Sequence, residues 1–184
     1  MAITTVSTIV LLFSIVFGFV LNCLAVFLKQ WIIAYTRSPL KASENLIDES
    51  PRGLFRQDVG IVPFQFSNVP PYFRACCIMM IFAFALYIMM VGFFVFALVC
   101  TMLKKPKLAR LGYLLVAILS ISTAALQIAS FIVTLACQQM YANTVDYWSD
   151  PVVGSSVYLA MASGIFGFIS LGLSLFLYRG LKND

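Results

Sequence analysis

The chain has 184 residues, of which 62% are hydrophobic and 10% are charged, with a formal net charge of +5 and a mean hydropathy of +0.99. Soluble domains carry about 25% charged residues, so this composition excludes a soluble globular protein and indicates one that crosses a membrane several times. The positive charge does not indicate nucleic-acid binding, because the basic residues flank the apolar stretches, where they set membrane topology.

The sequence contains no histidine, the commonest general base and metal ligand in proteins. It also has no CxxC pair and no acidic residue inside an apolar stretch. We therefore expect no catalytic site, no cofactor and no bound metal, and the chain is not expected to be an enzyme. Asp48, Glu49 and Asp58 are interpreted as a solvated loop surface, with calcium coordination as the alternative.

Four apolar stretches without acidic or basic residues dominate the chain. They cover residues 4–28, 75–103, 111–137 and 153–178. Each exceeds the roughly 20 helical residues that cross a hydrocarbon core of about 30 Å. We therefore predict an all-α transmembrane fold, a left-handed four-helix bundle that forms a single membrane domain over residues 1–184. The first stretch is too long for a signal peptide and is followed by Lys29, so we expect it to be retained.

The connections between these stretches predict the orientation in the membrane. Residues 104–110 carry four basic side chains and no acid, and the connection is short enough for the positive-inside rule to apply. We therefore expect this connection and both termini to be cytoplasmic, and the connections 29–74 and 138–152 to lie outside the cell. We expect the chain to be an integral protein of the plasma membrane.

Small residues spaced four apart in the last stretch predict close helix packing. They are Ala160, Ser163, Gly164 and Gly167. A contact between helices of the same chain is the expected role, and a dimer interface is the alternative. Asn22 and Gln127 are the strongest polar side chains deep in the stretches, and a mutual or backbone hydrogen bond is expected for them. No polar helix face that would line a pore is expected.

The first long connection contains two extended candidates. A β-rich run at 31–36 is interrupted by the acidic stretch 44–49, and a second run at 60–66 contains Pro63, which is typical of an edge strand. We predict a small extracellular antiparallel sheet that lies on the outer end of the bundle. Such a sheet would leave its edges available to a partner.

Three sequence features follow one another in this connection. Trp31 opens a strand directly after the first span, Gly53-Leu54-Phe55 follows late in the connection, and Arg74 lies at the mouth of the second span. This arrangement resembles the claudin/PMP22-like superfamily of four-span membrane proteins, with Phe55 in place of the tryptophan of its Gly-Leu-Trp motif. The resemblance implies that Trp31, Gly53, Leu54, Phe55 and Arg74 anchor the sheet to the helix ends.

One departure from the superfamily concerns its loop disulfide. The family has a cysteine three residues after the aromatic residue and a second one farther along, whereas this chain has Asp58 at the first position and no cysteine in 29–74. A disulfide typically contributes about 2–4 kcal/mol. The chain is therefore interpreted as a divergent member whose loop must be held by packing or by a partner.

The resemblance implies a claudin-like protein that mediates cell–cell junction, adhesion or barrier contacts through its extracellular loops. The candidate partner contacts are apolar loop residues, namely Ile61, Val62, Phe64, Phe66, Tyr72 and Trp148. Their alternative role is to cover the bundle end or to enter the lipid interface. Residues 59–71 carry no charge, which favours sealing or adhesion over a charge-selective pore.

A second hypothesis is an auxiliary, regulatory subunit of an ion channel or receptor. The segment 70–74 resembles the approach to the second span in stargazin-like relatives of the same superfamily. Under either hypothesis the expected partners are the lipid bilayer and other membrane proteins, which are a second copy, a claudin-like protein or a channel subunit.

Overall fold

The computed structural model describes residues 2–28, 30–37, 47–52, 54, 71–145 and 149–181, and the side chains of residues 5–28, 30–33, 54, 71–137 and 152–181. In this part of the chain there are four long helices, α1 Ala2–Phe27, α2 Pro71–Met102, α3 Pro106–Val145 and α4 Ser155–Gly180. Each is long and apolar enough to cross a membrane. The predicted all-α four-span fold is therefore confirmed, and α3 continues past the apolar stretch that ends at 137.

Along the helices, the buried residues are spaced alternately three and four positions apart. In the middle of α2 these positions are Met80, Ala83, Tyr87, Met90, Phe94 and Ala97. In α4 they are Ala160, Ser163, Gly167, Ser170, Ser174 and Leu177. An average step of about 3.5 residues keeps one seam turned toward the neighbouring helices when they wind around one another with a left-handed twist.

The helices pack in a ring, and bulky and small side chains are divided between them. α3 packs against both α2 and α4, α4 packs against α1, and the contact between α1 and α2 is the smallest of the four in the ring. α2 supplies large buried side chains such as Tyr87 and Phe94, whereas α4 supplies mainly glycine, alanine and serine. The small residues let the backbones of α3 and α4 approach closely.

The structure buries all four small residues of α4 that the sequence singles out. A Cβ added at Gly167 would lie 3.0 Å from Ala124 Cβ and 3.2 Å from the carbonyl oxygen of Ser120, both on α3. A Cβ added at Gly164 would lie 3.2 Å from Ile128 Cγ1 on the same helix. These two glycines therefore face α3 of the same chain.

A hydrogen-bond network in the bundle interior joins all four helices. Gln127 Nε2 of α3 donates to Asn22 Oδ1 of α1 and to Ser163 Oγ of α4, each at 2.9 Å. Ser163 Oγ in turn donates to the carbonyl oxygen of Gly18 at 2.7 Å, and Tyr87 OH of α2 donates to the carbonyl oxygen of Ser163 at 3.1 Å. The predicted hydrogen bond between Asn22 and Gln127 is confirmed, and it belongs to a larger network.

α3 has a continuous polar stripe, which was not predicted from the sequence. The stripe consists of fully buried residues at the same alternating step, namely Ser120, Thr123, Gln127, Ser130 and Thr134. Thr123 and Thr134 donate to carbonyl oxygens one turn back, and Ser120 donates to Met90 Sδ. Small hydroxyl side chains barely lower the hydropathy of a stretch, so hydropathy did not reveal the stripe. The stripe is packed against its neighbours.

The turn between α2 and α3 contains a residue in the left-handed region. Lys104 has a φ of 54°. The amide of Lys104 donates to the carbonyl oxygen of Thr101, and the amide of Lys105 donates to the carbonyl oxygen of Cys100. These two bonds form a Schellman motif, in which glycine usually occupies the left-handed position. Pro106 then begins α3, where its missing N–H and fixed φ are well suited to a first helical residue.

A three-stranded antiparallel sheet lies where α1 ends and α4 begins, which we call the sheet end. Its strands are β1 Ile32–Arg37, β2 Ile47–Arg52 and β3 Ser149–Val153, in the order β2-β1-β3. β1 confirms the strand expected at 31–36, and the run at 60–66 lies outside the described residues. The acidic stretch 44–49 was expected to interrupt the β-rich run, and β1 ends before it, but no strand was predicted at β2, which includes the end of this stretch. Edge strands tolerate charged residues, so composition was a poor guide there.

We predict that Gly167→Val destabilises the bundle by about 1–3 kcal/mol, because the larger side chain has no space against α3. Thermal unfolding of the detergent-solubilised protein measures the effect. Gly172→Val is the matched control on the same helix, since a Cβ at Gly172 would meet nothing within 4 Å. Equal melting temperatures for the two variants would contradict this packing.

Candidate functional site at the sheet end

Trp31 lies at the junction between α1 and β1. Its side chain is fully buried, and its indole Nε1–H donates to the carbonyl oxygen of Ala25 at 2.5 Å. Ala25 belongs to the last turn of α1, whose carbonyl groups lack partners within the helix. Trp31 therefore satisfies a polar group at the end of α1 while its ring fills the core beneath the sheet.

The same junction is hydrogen-bonded to the start of α4. The carbonyl oxygen of Trp31 accepts from the amide of Gly154 at 3.0 Å, and that of Gln30 accepts from the amide of Ser156 at 3.0 Å. Ser155 Oγ also donates to Gln30 Oε1. The amides in the first turn of a helix need partners outside it, and residues 30–31 supply them. We call this set of contacts, made by Gln30, Trp31, Gly154, Ser155 and Ser156, the β1–α4 clamp.

Gly154 allows the clamp to close. A Cβ at this position would overlap the carbonyl group of Gln30. The backbone of Gly154 has φ −83° and ψ 170°, a conformation open to any residue, so the requirement concerns space alone. Neither Gly154 nor Gln30 was predicted from the sequence. A glycine just before a span is also typical of an ordinary loop, so Gly154 gave no signal of its role.

Leu54 connects the sheet end to α2. Its side chain is fully buried in a cluster that also contains Trp31, Phe73 and Met80. The thiol of Cys77 donates to the carbonyl oxygen of Leu54, with the sulfur 3.3 Å from the oxygen. Cys77 is therefore a further residue of this site, and it was not predicted from the sequence.

The remaining predicted site residues are placed less centrally or fall outside the description. Arg74 is half-buried in the first turn of α2, and its Nε atom is buried with no hydrogen-bond partner in the described part of the chain. Tyr72 is half-buried and packs against the cluster around Trp31, with its ring edge-on to that of Phe73. The other predicted residues lie outside the described ranges, and they are Gly53, Phe55, Ile61, Val62, Phe64, Phe66 and Trp148.

Prolines occupy both outer strands of the sheet. Pro51 of β2 pairs with Ile33, and Pro151 of β3 pairs with Ala34. The carbonyl oxygen of Trp31 points toward the β3 side, where Gly154 donates to it. Because successive residues of an antiparallel strand direct their polar groups to opposite sides, Ile33 also points toward β3 and Ala34 toward β2.

It follows that neither proline is hydrogen-bonded to β1, and that the nitrogen atoms of both point to the outer edges of the three described strands. Each edge therefore lacks one donor that an added strand would need. The expectation that the sheet offers its edges to a partner stays a prediction, and a strand added at either edge would lack one hydrogen bond at the proline.

The cysteines of the described helices are all free thiols, and the connection 29–74 contains no cysteine. The sheet is held to the bundle by the β1–α4 clamp and by the cluster around Trp31 and Leu54. In the described part of the chain no group of three or more His, Cys, Asp or Glu residues could hold a metal ion.

A sequence model of the family described as "Tight junction protein, Claudin-like" matches residues 1–181. The chain belongs to the claudin-like family. No individual curated protein matches it significantly. The family match covers both connections that build the sheet and all four spans. The claudin-like chain is accordingly an integral membrane protein of the tight-junction type.

We predict that Gly154→Ala separates β1 from α4, because the added methyl group overlaps the backbone of Gln30. The indole of Trp31 would then meet water, and its fluorescence emission would shift to longer wavelength. The measurement uses a Trp148→Phe background, which leaves Trp31 as the single tryptophan of the chain. Gly172→Ala serves as the control, and unchanged emission from both variants would contradict the clamp.

Proposed function

We propose that this claudin-like protein forms cell–cell adhesion or barrier contacts through its sheet end, without enzymatic activity. The observation that carries the proposal is the β1–α4 clamp, which joins strands from both long connections into one sheet on the bundle. A composite surface of this kind presents both connections together. The packed, hydrogen-bonded bundle interior supports the helices as a frame for that surface.

The proposal requires the sheet end to face outside the cell, with both termini in the cytoplasm. The charge of the α2–α3 turn supports this orientation, because its three lysines and Arg110 are accompanied by no acid. The connections at the sheet end contain equal numbers of acidic and basic residues, counting Arg74. The proposed location is the plasma membrane at cell contacts, and the claudin-like family supports it.

The proposed partner surface consists of the apolar residues between the sheet and α2. Ile61, Val62, Phe64 and Phe66 lie within a segment that carries no charge, and a partner in an opposing or neighbouring membrane would cover them. Because prolines remove donors from both sheet edges, we expect contacts through side chains of this segment, and strand addition is disfavoured.

The alternative function is an auxiliary subunit that binds a channel or receptor within the membrane. A groove of about 290 Å³ along α1 favours it, on the side where α1 and α2 make little contact. The groove is lined by apolar residues and one cysteine, namely Phe19, Val20, Cys23, Leu24, Phe27 and Leu28. Under this alternative a transmembrane helix of the channel subunit would occupy the groove.

The two functions are separated by expressing fluorescent versions of the protein in two colours in cells that lack it, and mixing the cells. Adhesion predicts that the protein concentrates where two expressing cells touch, and that it does not concentrate at contacts with non-expressing cells. The double variant Phe64→Ser and Phe66→Ser should abolish this enrichment while surface delivery is retained. Gly172→Ala, on the membrane part, should leave the enrichment unchanged.

Uniform surface distribution, combined with recovery of a channel subunit in detergent extracts, would contradict the adhesion proposal. Substitutions in the α1 groove then report on the alternative. Val20→Trp fills the groove, so loss of the channel subunit from extracts of this variant would assign the auxiliary function.

A further inference from the structure

The charged residues are divided unevenly along the sequence. Six basic and six acidic residues belong to the connections 29–74 and 138–152, counting Arg74, and they cancel. The remaining charged residues belong to the α2–α3 turn, the start of α3 and the segment from Arg179 onward, where six basic residues accompany a single acid, Asp184. By sequence, these segments therefore carry the whole net charge of +5, and their described members lie at the end of the bundle away from the sheet. We call the described cations there the basic end, and they are Lys104, Lys105, Lys107, Arg110 and Arg179.

The lysines of the basic end are held close together by the backbone. All three lysines are exposed. Lys104 and Lys105 form the tight turn that is fixed by the Schellman hydrogen bonds, and Lys107 lies in the first turn of α3, directly after Pro106. Three ammonium groups on so short a turn repel one another in the absence of an anion. No acidic residue occurs anywhere in 71–137 or 152–181, so the described side chains offer them no ion pair.

Arg110 extends the cationic surface toward α4. Its guanidinium group lies 4.8 Å from the centre of the Tyr178 ring, which fixes its position without neutralising its charge. Its Nε atom is buried and has no hydrogen-bond partner in the described part of the chain. The adjacent Arg179 is exposed on α4. The basic end therefore presents five cations with no acidic partner among the described side chains, one of which has a donor atom without a hydrogen-bond partner.

Exposed apolar side chains lie beside these cations. Met102 and Leu103 are 80% and 60% exposed directly before Lys104, and Leu108 and Leu111 are 43% and 48% exposed after Lys107. A surface on which apolar side chains alternate with lysines fits the boundary between acyl chains and headgroups of a bilayer. An acidic protein in solution would leave these apolar side chains in water.

We propose that the basic end binds the phosphate groups of an anionic phospholipid. Lys104, Lys105 and Lys107 contact the headgroup, Arg110 donates to it from its position over Tyr178, and Met102 and Leu103 lie among the acyl chains. The positive-inside rule accounts for orientation during insertion, which needs only net charge. A bound headgroup would in addition relieve the repulsion within the lysine turn and use the free donors of the arginine.

The test measures lipid binding to the full-length protein in detergent, by native mass spectrometry. The probes are short-chain phosphatidylinositol 4,5-bisphosphate, phosphatidylserine and phosphatidylcholine, with inositol trisphosphate as the free headgroup. We expect the bisphosphate lipid to bind at least about tenfold more tightly than phosphatidylcholine, and raised salt to weaken it. Neutralising each lysine should weaken binding about fivefold.

Two triple variants separate charge from structure. Lys104→Gln, Lys105→Gln and Lys107→Gln together should lower the affinity at least about tenfold, whereas the corresponding Lys→Arg changes should preserve it. Both variants should show the circular dichroism of the unsubstituted protein. Unchanged affinity of the glutamine variant would overturn the proposal, as would equal affinity for phosphatidylcholine. Equally tight binding of inositol trisphosphate would show that a soluble phosphate compound is the ligand and would overturn the lipid assignment.

Discussion

The arrangement of the sheet end depends on how the chain leaves α1. A helix ends with carbonyl groups that lack partners and begins with amides that lack partners, and a membrane boundary supplies little water for them. Trp31 bonds the last turn of α1 through its indole, and the carbonyl groups of residues 30 and 31 bond the first amides of α4. The same two residues lead directly into β1, so one short segment closes two helix ends and sets the height of the sheet.

This arrangement explains how the loop is held without a disulfide. A cross-link would restrict the unfolded chain, whereas the contacts found here act in the folded state. They combine burial of Trp31 and Leu54 with hydrogen bonds to backbone groups at the end of α1 and the start of α4. A further bond runs from the Cys77 thiol of α2 to the carbonyl oxygen of Leu54. Their geometry depends on close approach, which explains why glycine occurs at 154. The sheet and the bundle are consequently one packed unit in the described part of the chain.

The sequence was sufficient for those features that follow from hydropathy and from the position of strong polar side chains. The four spans, β1 and the Asn22–Gln127 hydrogen bond belong to this class. The clamp could not be predicted, because a backbone overlap at Gly154 exists only after two distant segments meet. The hydroxyl stripe of α3 and the left-handed Lys104 escaped prediction for a related reason, since serine, threonine and lysine there have ordinary local preferences. The proline positions became informative only through the strand register.

Amide hydrogen exchange at Gly154 and Ser156 tests the central claim most directly. These two amides donate to the carbonyl oxygens of Trp31 and Gln30, so their exchange reports opening of the clamp without any substitution. Residue-resolved NMR of the protein in detergent should show that both amides are protected from exchange, and that their protection lasts as long as that of the β1 amides. Rapid exchange of both amides while β1 and the helices stay protected would contradict the account, because the sheet would then be held by other contacts.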